Sequence, residues 1–289
     1  MLVTEDTLTA ISLTSAAEHA RLLDQHNALV ALVKGRIVHA PITAPTTILE
    51  VGCGTGVITR YLATHFPPTK HVYGIDLCPV PSSPTDASLP NLTFILGNFR
   101  TLAGKDPRLQ PNTFDLVYSR LLLCGMTDWP GYVRDMFAML KPGGWADFGD
   151  YIEDVFYTDA RCQPREDWEW LRAIRLGGLR KGLDLDCGAN VRRYMQEAGF
   201  VDIERWEYRV PLWKKVTEDR GEQVEARLVA DNLIGDKWGL HWHMLPRMLE
   251  VMGYGEEWIG RLREEMRVDK RDEEGKYQLF FVTVGRKPV

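Results

Sequence analysis

The sequence predicts an α/β protein with a parallel sheet that is covered by helices on both faces. Short β-branched runs alternate with segments of helical spacing between residues 47 and 148, and this alternation is typical of βαβ units. The first run, at 47–51, stops at a glycine, and residues 57–66 then repeat their apolar positions as a helix does. A strand, a glycine turn and a helix therefore begin the predicted sheet.

The same criteria, strand-like runs and helical spacing of apolar residues, predict the remaining elements along the chain. Proline and glycine mark most of their ends, since both residues interrupt regular structure. A loop with four prolines, at 79–90, joins the second and third strands. We expect strands at 71–77, 92–96, 114–118, 145–148, 201–210 and 277–284, and helices at 16–38, 129–140 and 191–198.

About 66 residues separate the last two predicted strands, which is too many for a loop in a compact domain. Three stretches within them have helical spacing, at 224–233, 238–252 and 256–268. We therefore expect a helical insertion at residues 217–275 that covers the substrate side of the sheet as a lid.

Composition excludes several classes of partner. The 289 residues carry a formal net charge of −5, so the chain has no basic surplus for nucleic acid. No stretch of about 18 apolar residues and no signal peptide is found. The five cysteines are widely spread and lack metal-ligand spacing. These features predict a cytoplasmic protein with reduced thiols, no membrane segment and no metal, while the oligomeric state is left open.

The segment from Glu50 to Gly56, EVGCGTG, is the most informative in the chain. Its glycines allow a sharp turn and let a ligand approach the backbone. Val57 replaces the last glycine of a dinucleotide fingerprint, and the lysine of a phosphate loop is absent. Glu50 before the turn and Asp76 after the next strand suit a ligand with an amino group and a ribose diol but no phosphate. S-Adenosyl-L-methionine fits that description.

Four segments in order, ILEVGCGTG, VYGIDL, FDLVYSR and LKPGGW, resemble the motifs of class I S-adenosylmethionine-dependent methyltransferases. RLLDQHNAL, DLCPVP and DWPGYVRDMFAMLKPGGW are similar to the fungal LaeA-like subgroup, which is associated with secondary metabolism. The resemblance implies a Rossmann-like, doubly wound, mostly parallel seven-stranded sheet. Residues 1–43 would form an N-terminal helical extension and residues 44–289 the methyltransferase domain.

Carried over position by position, the resemblance implies a set of cofactor contacts. Asp76 would accept hydrogen bonds from the ribose hydroxyls. Asn98 stands where the family usually has an acidic residue beside adenine, so adenine would be bound without a charge. Arg120 lies close to the expected sulfonium, although a surface ion pair is the alternative. The implied cofactor residues are Glu50, Gly52, Gly54, Gly56, Asp76, Leu77, Asn98, Phe99, Ser119 and Arg120.

Methyl transfer from a sulfonium depends more on the alignment of donor and acceptor than on a catalytic base. The candidate proton acceptors are Asp150, after the fifth strand, and His241, in the insertion. The alternative for Asp150 is a solvated acid in a loop, and the alternative for His241 is a residue of the hydrophobic core. His26 lies on the apolar face of the first predicted helix. It is either a site residue or a core histidine whose polar atoms are hydrogen-bonded within the protein. The candidate substrate-binding residues are His26, Tyr151, Trp238 and Trp242.

The sequence thus predicts methyl transfer from S-adenosyl-L-methionine to a small, largely apolar acceptor that resembles a secondary metabolite. Two alternatives remain open. A methyltransferase fold can bind the cofactor without transferring methyl and catalyse a cyclisation, because fold does not determine function. A LaeA-like regulatory protein would act through partners.

Overall fold

The computed structural model describes most of the predicted sheet, several helices and part of the predicted insertion. The described residues are 16–66, 69–152, 156–157, 168–211, 249, 252–269 and 276–289. Two of the predicted helices in the insertion, at 224–233 and 238–252, lie outside these ranges except for a few residues.

A single mixed sheet forms the centre of the molecule. Its strand order is β3-β2-β1-β4-β5-β8, with β7 on β8 as well. β1 to β5 are parallel to one another, and β8 runs antiparallel between β5 and β7. The strands are β1 (Thr47–Val51), β2 (His71–Asp76), β3 (Leu92–Leu96), β4 (Phe114–Arg120), β5 (Leu140–Tyr151), β7 (Val201–Pro211) and β8 (Lys276–Arg286).

These seven strands confirm the predicted Rossmann-like sheet. An eighth, β6 (Phe156–Tyr157), adds only two residues and pairs with the start of β8. β5 begins at Leu140, five residues before the predicted start. The KPGG segment is part of this strand, and the pairing of β4 with β5 shifts register between Phe114 and Leu116.

Helices connect the strands and flank the sheet. α1 (Ala16–Leu32) precedes β1, and α2 (Val57–His65) follows the glycine turn. The others are α3 (Phe99–Leu102), α4 (Trp129–Met139), α5 (Glu169–Arg180), α6 (Cys187–Ala198) and α7 (Glu256–Asp269). α7 confirms the third predicted helix of the insertion, whereas α3 and α5 were not predicted.

Two hydrophobic clusters cover the two faces of the sheet. Ile48 packs with Leu62 of α2, while its neighbour Leu49 belongs to the cluster that contains Trp129 and Met136 of α4. Adjacent residues of a strand point to opposite faces, so β1 is buried on both sides. Its carboxyl end is therefore the part that is free to contact a ligand.

Within the described part of the chain, no helix has both the length and the apolar character needed to cross a membrane.

Candidate functional site

The glycine turn after β1 has a backbone that only glycine adopts at low cost. Gly52, Gly54 and Gly56 have φ angles of 71°, 52° and 74°, in the left-handed region. A Cβ at Gly52 would lie 2.3 Å from Leu122 Cδ2, whereas a Cβ at Gly54 would meet no atom within 4 Å. The turn thus presents Gly54 to open space at the carboxyl end of β1.

Asp76 ends β2 beside this turn and fixes its shape. Its Oδ2 accepts a hydrogen bond from the Gly54 backbone N–H at 2.7 Å, and its Oδ1 accepts one from the Cys78 N–H at 2.9 Å. A carboxylate oxygen has two lone pairs, so each oxygen can accept a further donor such as a ribose hydroxyl. The adjacent Leu77 is 39% exposed, which gives the site an apolar surface beside the carboxylate.

Glu50 supports the turn from inside the protein. It is buried, and the Thr59 hydroxyl of α2 donates to its Oε2 at 2.5 Å. Burial raises the pKa of Glu50 to about 8. The carboxyl group joins β1 to α2 through this bond, and its role in shaping the donor site stays a prediction.

Arg60 links the glycine turn to the proline-rich loop after β2. Its Nη1 donates to the Thr55 carbonyl at 2.7 Å and its Nη2 to the Pro81 carbonyl at 2.8 Å. Nε and Nη2 also pair with both oxygens of Asp86, at 2.6 and 2.9 Å. Arg60 is not among the residues predicted from the sequence motifs. Arg60 lies four residues after Gly56, and the loop opposite contains one acidic residue. This combination is a weak sequence signal for the contact between Arg60 and that loop.

Asn98 and Phe99 follow β3, where adenine was expected. The Asn98 Oδ1 accepts from the Arg100 N–H at 2.9 Å and so caps α3. Phe99 is buried and packs edge-on against Tyr132, with ring centroids 5.8 Å apart. As the first residue of α3, Phe99 has a backbone N–H that the helix cannot pair. Adenine contacts from these two residues stay a prediction.

Ser119 and Arg120 are the last two residues of β4, beside the glycine turn, and their contact with a sulfonium stays a prediction. Ser119 is buried and in register with Val51. The Arg120 Nη2 lies 2.9 Å from His26 Nδ1, and burial together with this guanidinium lowers the pKa of His26 to about 4. The imidazole is therefore neutral and accepts the bond. His26 is a buried residue, and Arg120 makes no surface ion pair with any described residue.

Asp150 lies at the carboxyl end of β5, but its side chain is 4% exposed. Its Oδ2 accepts from the Leu122 N–H at 2.8 Å and its Oδ1 from the Tyr151 N–H at 2.9 Å, while burial raises its pKa to about 7. This burial differs from the solvated loop acid that was the alternative to a proton acceptor. In this structure Asp150 holds Leu122, the residue that lies over Gly52. A role as general base stays a prediction.

Tyr151, a candidate for substrate binding, is 2% exposed and packs against Phe280 with ring centroids 5.0 Å apart. The structure thus places it in the core. Three further candidates, His241, Trp238 and Trp242, lie outside the described residues.

Asp147 forms a second buried cluster, which lies outside the site residues predicted from the sequence. Its Oδ2 accepts from the backbone N–H groups of His39 and Ala40 at 2.6 and 2.9 Å, and burial raises its pKa to about 7. His39 Nε2 lies 2.7 Å from the Tyr208 hydroxyl. Asp147 therefore holds the segment after α1 against the sheet. In the described residues no group of three or more potential metal ligands comes together.

Comparison with known proteins identifies the family. A methyltransferase domain model matches residues 17–205, which contain the glycine turn, Asp76, Asn98 and Arg120. The chain belongs to the methyltransferase domain family. S-Adenosyl-L-methionine as the methyl donor and an enzymatic role are thereby confirmed.

Individual relatives agree with this family. The chain is 23% identical over 275 residues to the methyltransferase pytC of Aspergillus terreus, covering 94% of this chain and 81% of pytC. It is 24% identical over 272 residues to the secondary metabolism regulator laeA of Aspergillus fumigatus, covering 90% of this chain and 67% of laeA.

A solved structure of Haemonchus contortus phosphoethanolamine N-methyltransferase 2, in complex with phosphomonomethylethanolamine and S-adenosylhomocysteine, is similar to the whole chain. Its TM-score is 0.55 at 14% identity, and the match covers 61% of that protein. At this identity the similarity supports the fold.

Proposed function

We propose that this methyltransferase transfers a methyl group from S-adenosyl-L-methionine to a small, largely apolar acceptor of secondary-metabolite type. The observation that carries the proposal is the pairing of the Gly54 N–H with Asp76 at the ends of two adjacent parallel strands. Ligands of open α/β sheets bind at this edge. The turn leaves space at Gly54, and the carboxylate keeps lone pairs for a diol.

In the reaction the acceptor atom forms a bond to the methyl carbon while the carbon–sulfur bond breaks. The electron pair of that bond returns to sulfur, which gives S-adenosylhomocysteine. The chain contributes alignment: Asp76 and the glycine turn hold the donor, and buried carboxyl groups hold the loops around it.

A small acceptor is favoured over nucleic acid because the net charge is −5 and no basic surplus exists. The similarity to pytC, named a methyltransferase, supports methyl transfer, and the similarity to laeA, named a secondary metabolism regulator, supports a link to secondary metabolism. Two free cysteines among the described residues, the buried Cys53 and Cys187, support a reducing, cytoplasmic location.

A regulatory role is the second candidate, and the similarity to laeA over 90% of the chain favours it.

Mass spectrometry of a mixed library of small apolar acids and phenols, incubated with protein and S-adenosyl-L-methionine, tests the first proposal. We expect at least one compound to gain the mass of a methylene unit only when the methyl donor is present. An isomer of unchanged mass, formed equally well with S-adenosylhomocysteine, would instead establish the cyclase.

A further inference from the structure

The glycine turn and the loop after β2 flank the proposed donor position. The first half of the turn is bonded to β2 through the backbone, because the N–H groups of Gly52 and Cys53 donate to the Ile75 carbonyl at 2.8 and 3.1 Å. In the second half, the Gly54 N–H donates to the side chain of Asp76. The position of this second half therefore depends on side chains.

A second side chain, that of Arg60 on α2, joins the same two segments. Its Nη1 donates to the Thr55 carbonyl of the turn at 2.7 Å, and its Nη2 donates to the Pro81 carbonyl of the loop at 2.8 Å. Asp76 joins the turn to the start of the loop through its two carboxylate oxygens. One contact fixes the separation of two segments, and a second contact at another point also prevents rotation about the first.

The loop after β2 is poor in backbone donors. Proline has no N–H group, so Pro81 can be bonded through its carbonyl oxygen but not through its nitrogen. The same holds for the other three prolines of the loop, Pro79, Pro84 and Pro90. A cationic side chain with several N–H groups is suited to bind such a segment, since it supplies the donors that the loop lacks.

Side chains from three segments pack closely around Gly56, next to the guanidinium. A Cβ at Gly56 would lie 2.7 Å from Phe94 Cζ, 2.8 Å from Val80 Cγ1 and 2.9 Å from Arg60 Nη1. The guanidinium carbon lies 5.1 Å from the centroid of the Phe94 ring, within the range of a cation–π interaction. The glycine thus gives Arg60 room to reach the turn.

Asp86 orients the guanidinium. Its Oδ1 accepts from Arg60 Nε at 2.6 Å and its Oδ2 from Nη2 at 2.9 Å. These bonds hold the pKa of Asp86 below its ordinary value, and the Ser83 N–H also donates to Oδ2, at 2.9 Å. The described bonds use four of the five N–H donors of the guanidinium. Arg60 would therefore act on a ligand through the segments that it joins.

We propose that Arg60, oriented by Asp86, is a positioning residue that fixes the glycine turn relative to Asp76 and thereby sets the affinity for the amino-acid part of the methyl donor. The inference rests on the proposed function, in which the amino group of the donor faces the turn and the ribose faces Asp76. Asp76 belongs to β2, which pairs with strands on both sides. Loss of the arginine should therefore displace the turn and leave the carboxylate in place.

The test compares S-adenosylhomocysteine with methylthioadenosine, which has the same nucleoside but lacks the amino-acid group, by calorimetry on the full chain. Arg60→Lys keeps the charge but loses the planar fork that bonds two carbonyls and a carboxylate at once. We expect this variant to bind S-adenosylhomocysteine roughly three- to tenfold more weakly, as the loss of one or two hydrogen bonds predicts. Its affinity for methylthioadenosine should stay close to that of the wild type. Arg286→Lys, which changes an arginine of β8 paired with Asp202, is the matched control and should keep both affinities.

Equal losses for the two ligands in Arg60→Lys would overturn the inference, because a purely structural effect lowers the folded fraction and weakens both. Wild-type affinity for both ligands would overturn it as well. Asp86→Asn provides a second variant if Arg60→Lys does not fold, since it keeps the arginine and weakens its orientation; the same selective loss is expected there, and equal or absent losses contradict the proposal. Failure of the wild type to bind S-adenosylhomocysteine at all would instead contradict the proposed function.

Discussion

At the scale of single residues, the glycines of the turn serve different purposes. Gly52 makes room for Leu122, Gly56 packs beneath Phe94 and Val80, and Gly54 has open space beside it. The positive φ therefore has a packing reason at Gly52 and Gly56, whereas at Gly54 it leaves the open space that we propose for the donor.

Gly54→Ala tests this distinction against Gly35→Ala. Both glycines have positive φ and no atom within 4 Å of an added Cβ. Both substitutions should thus cost a similar free energy of unfolding, about 1 to 2 kcal/mol. Only Gly54→Ala should weaken S-adenosylhomocysteine binding, because its methyl group enters the donor position. Equal affinities of the two variants in calorimetry would show that Gly54 does not face the ligand.

Glu50 predicts a pH dependence of stability. Its pKa is raised to about 8 in the folded protein, against an ordinary value of 4.5, so between these values the folded state binds more protons than the unfolded state. The stability contributed by the neutral carboxyl is lost as pH rises through this range. Glu50→Gln keeps an acceptor for Thr59 but does not titrate. Relative to this variant, the wild type should lose stability between pH 5 and pH 8 in urea unfolding, and parallel curves would refute the assignment.

At the scale of elements, buried side chains set the loop positions at the sheet edge. Asp150 of β5 holds Leu122 after β4, and Leu122 in turn lies over Gly52. Arg60 of α2 holds the loop after β2. Each bond joins segments that are adjacent in space but distant in sequence.

Asp150→Asn should destabilise the protein, because one backbone N–H would face an amide donor instead of a carboxylate oxygen. An unpaired buried donor costs about 1 to 3 kcal/mol. Urea unfolding should show this loss, together with weaker S-adenosylhomocysteine binding. Asp202→Asn, which changes a half-exposed carboxylate paired with Arg286, is the control. Unchanged stability with a large loss of methyl-transfer rate would favour the general-base role.

The limits of sequence reasoning appear at this scale. The glycine turn and the alternating strands were predictable because their signals are local in sequence. α5 was missed because Gly177 and Gly178 lower helix propensity, yet Gly178 allows close packing, since a Cβ there would lie 2.6 Å from Leu185 Cδ1. The bond between His26 and Arg120 spans 94 positions and depends on how α1 packs, which no local pattern contains.

At the scale of the whole molecule, the proposed donor position and the buried cluster around Asp147 lie on two sides of β4. The glycine turn follows β1 and Asp76 ends β2, whereas Asp147 of β5 holds the segment after α1 against the sheet. Motif order predicted the first half of this arrangement, whereas the second half depends on tertiary packing.

The most direct test of the account is calorimetric binding of S-adenosylhomocysteine to Asp76→Asn, with Asp202→Asn as the matched control. We predict that Asp76→Asn, which replaces the carboxylate beside Gly54, weakens binding roughly tenfold or more through lost charge-assisted hydrogen bonds. The control should bind as the wild type does. Wild-type affinity in a folded Asp76→Asn variant would contradict the account, because the donor would then lie elsewhere.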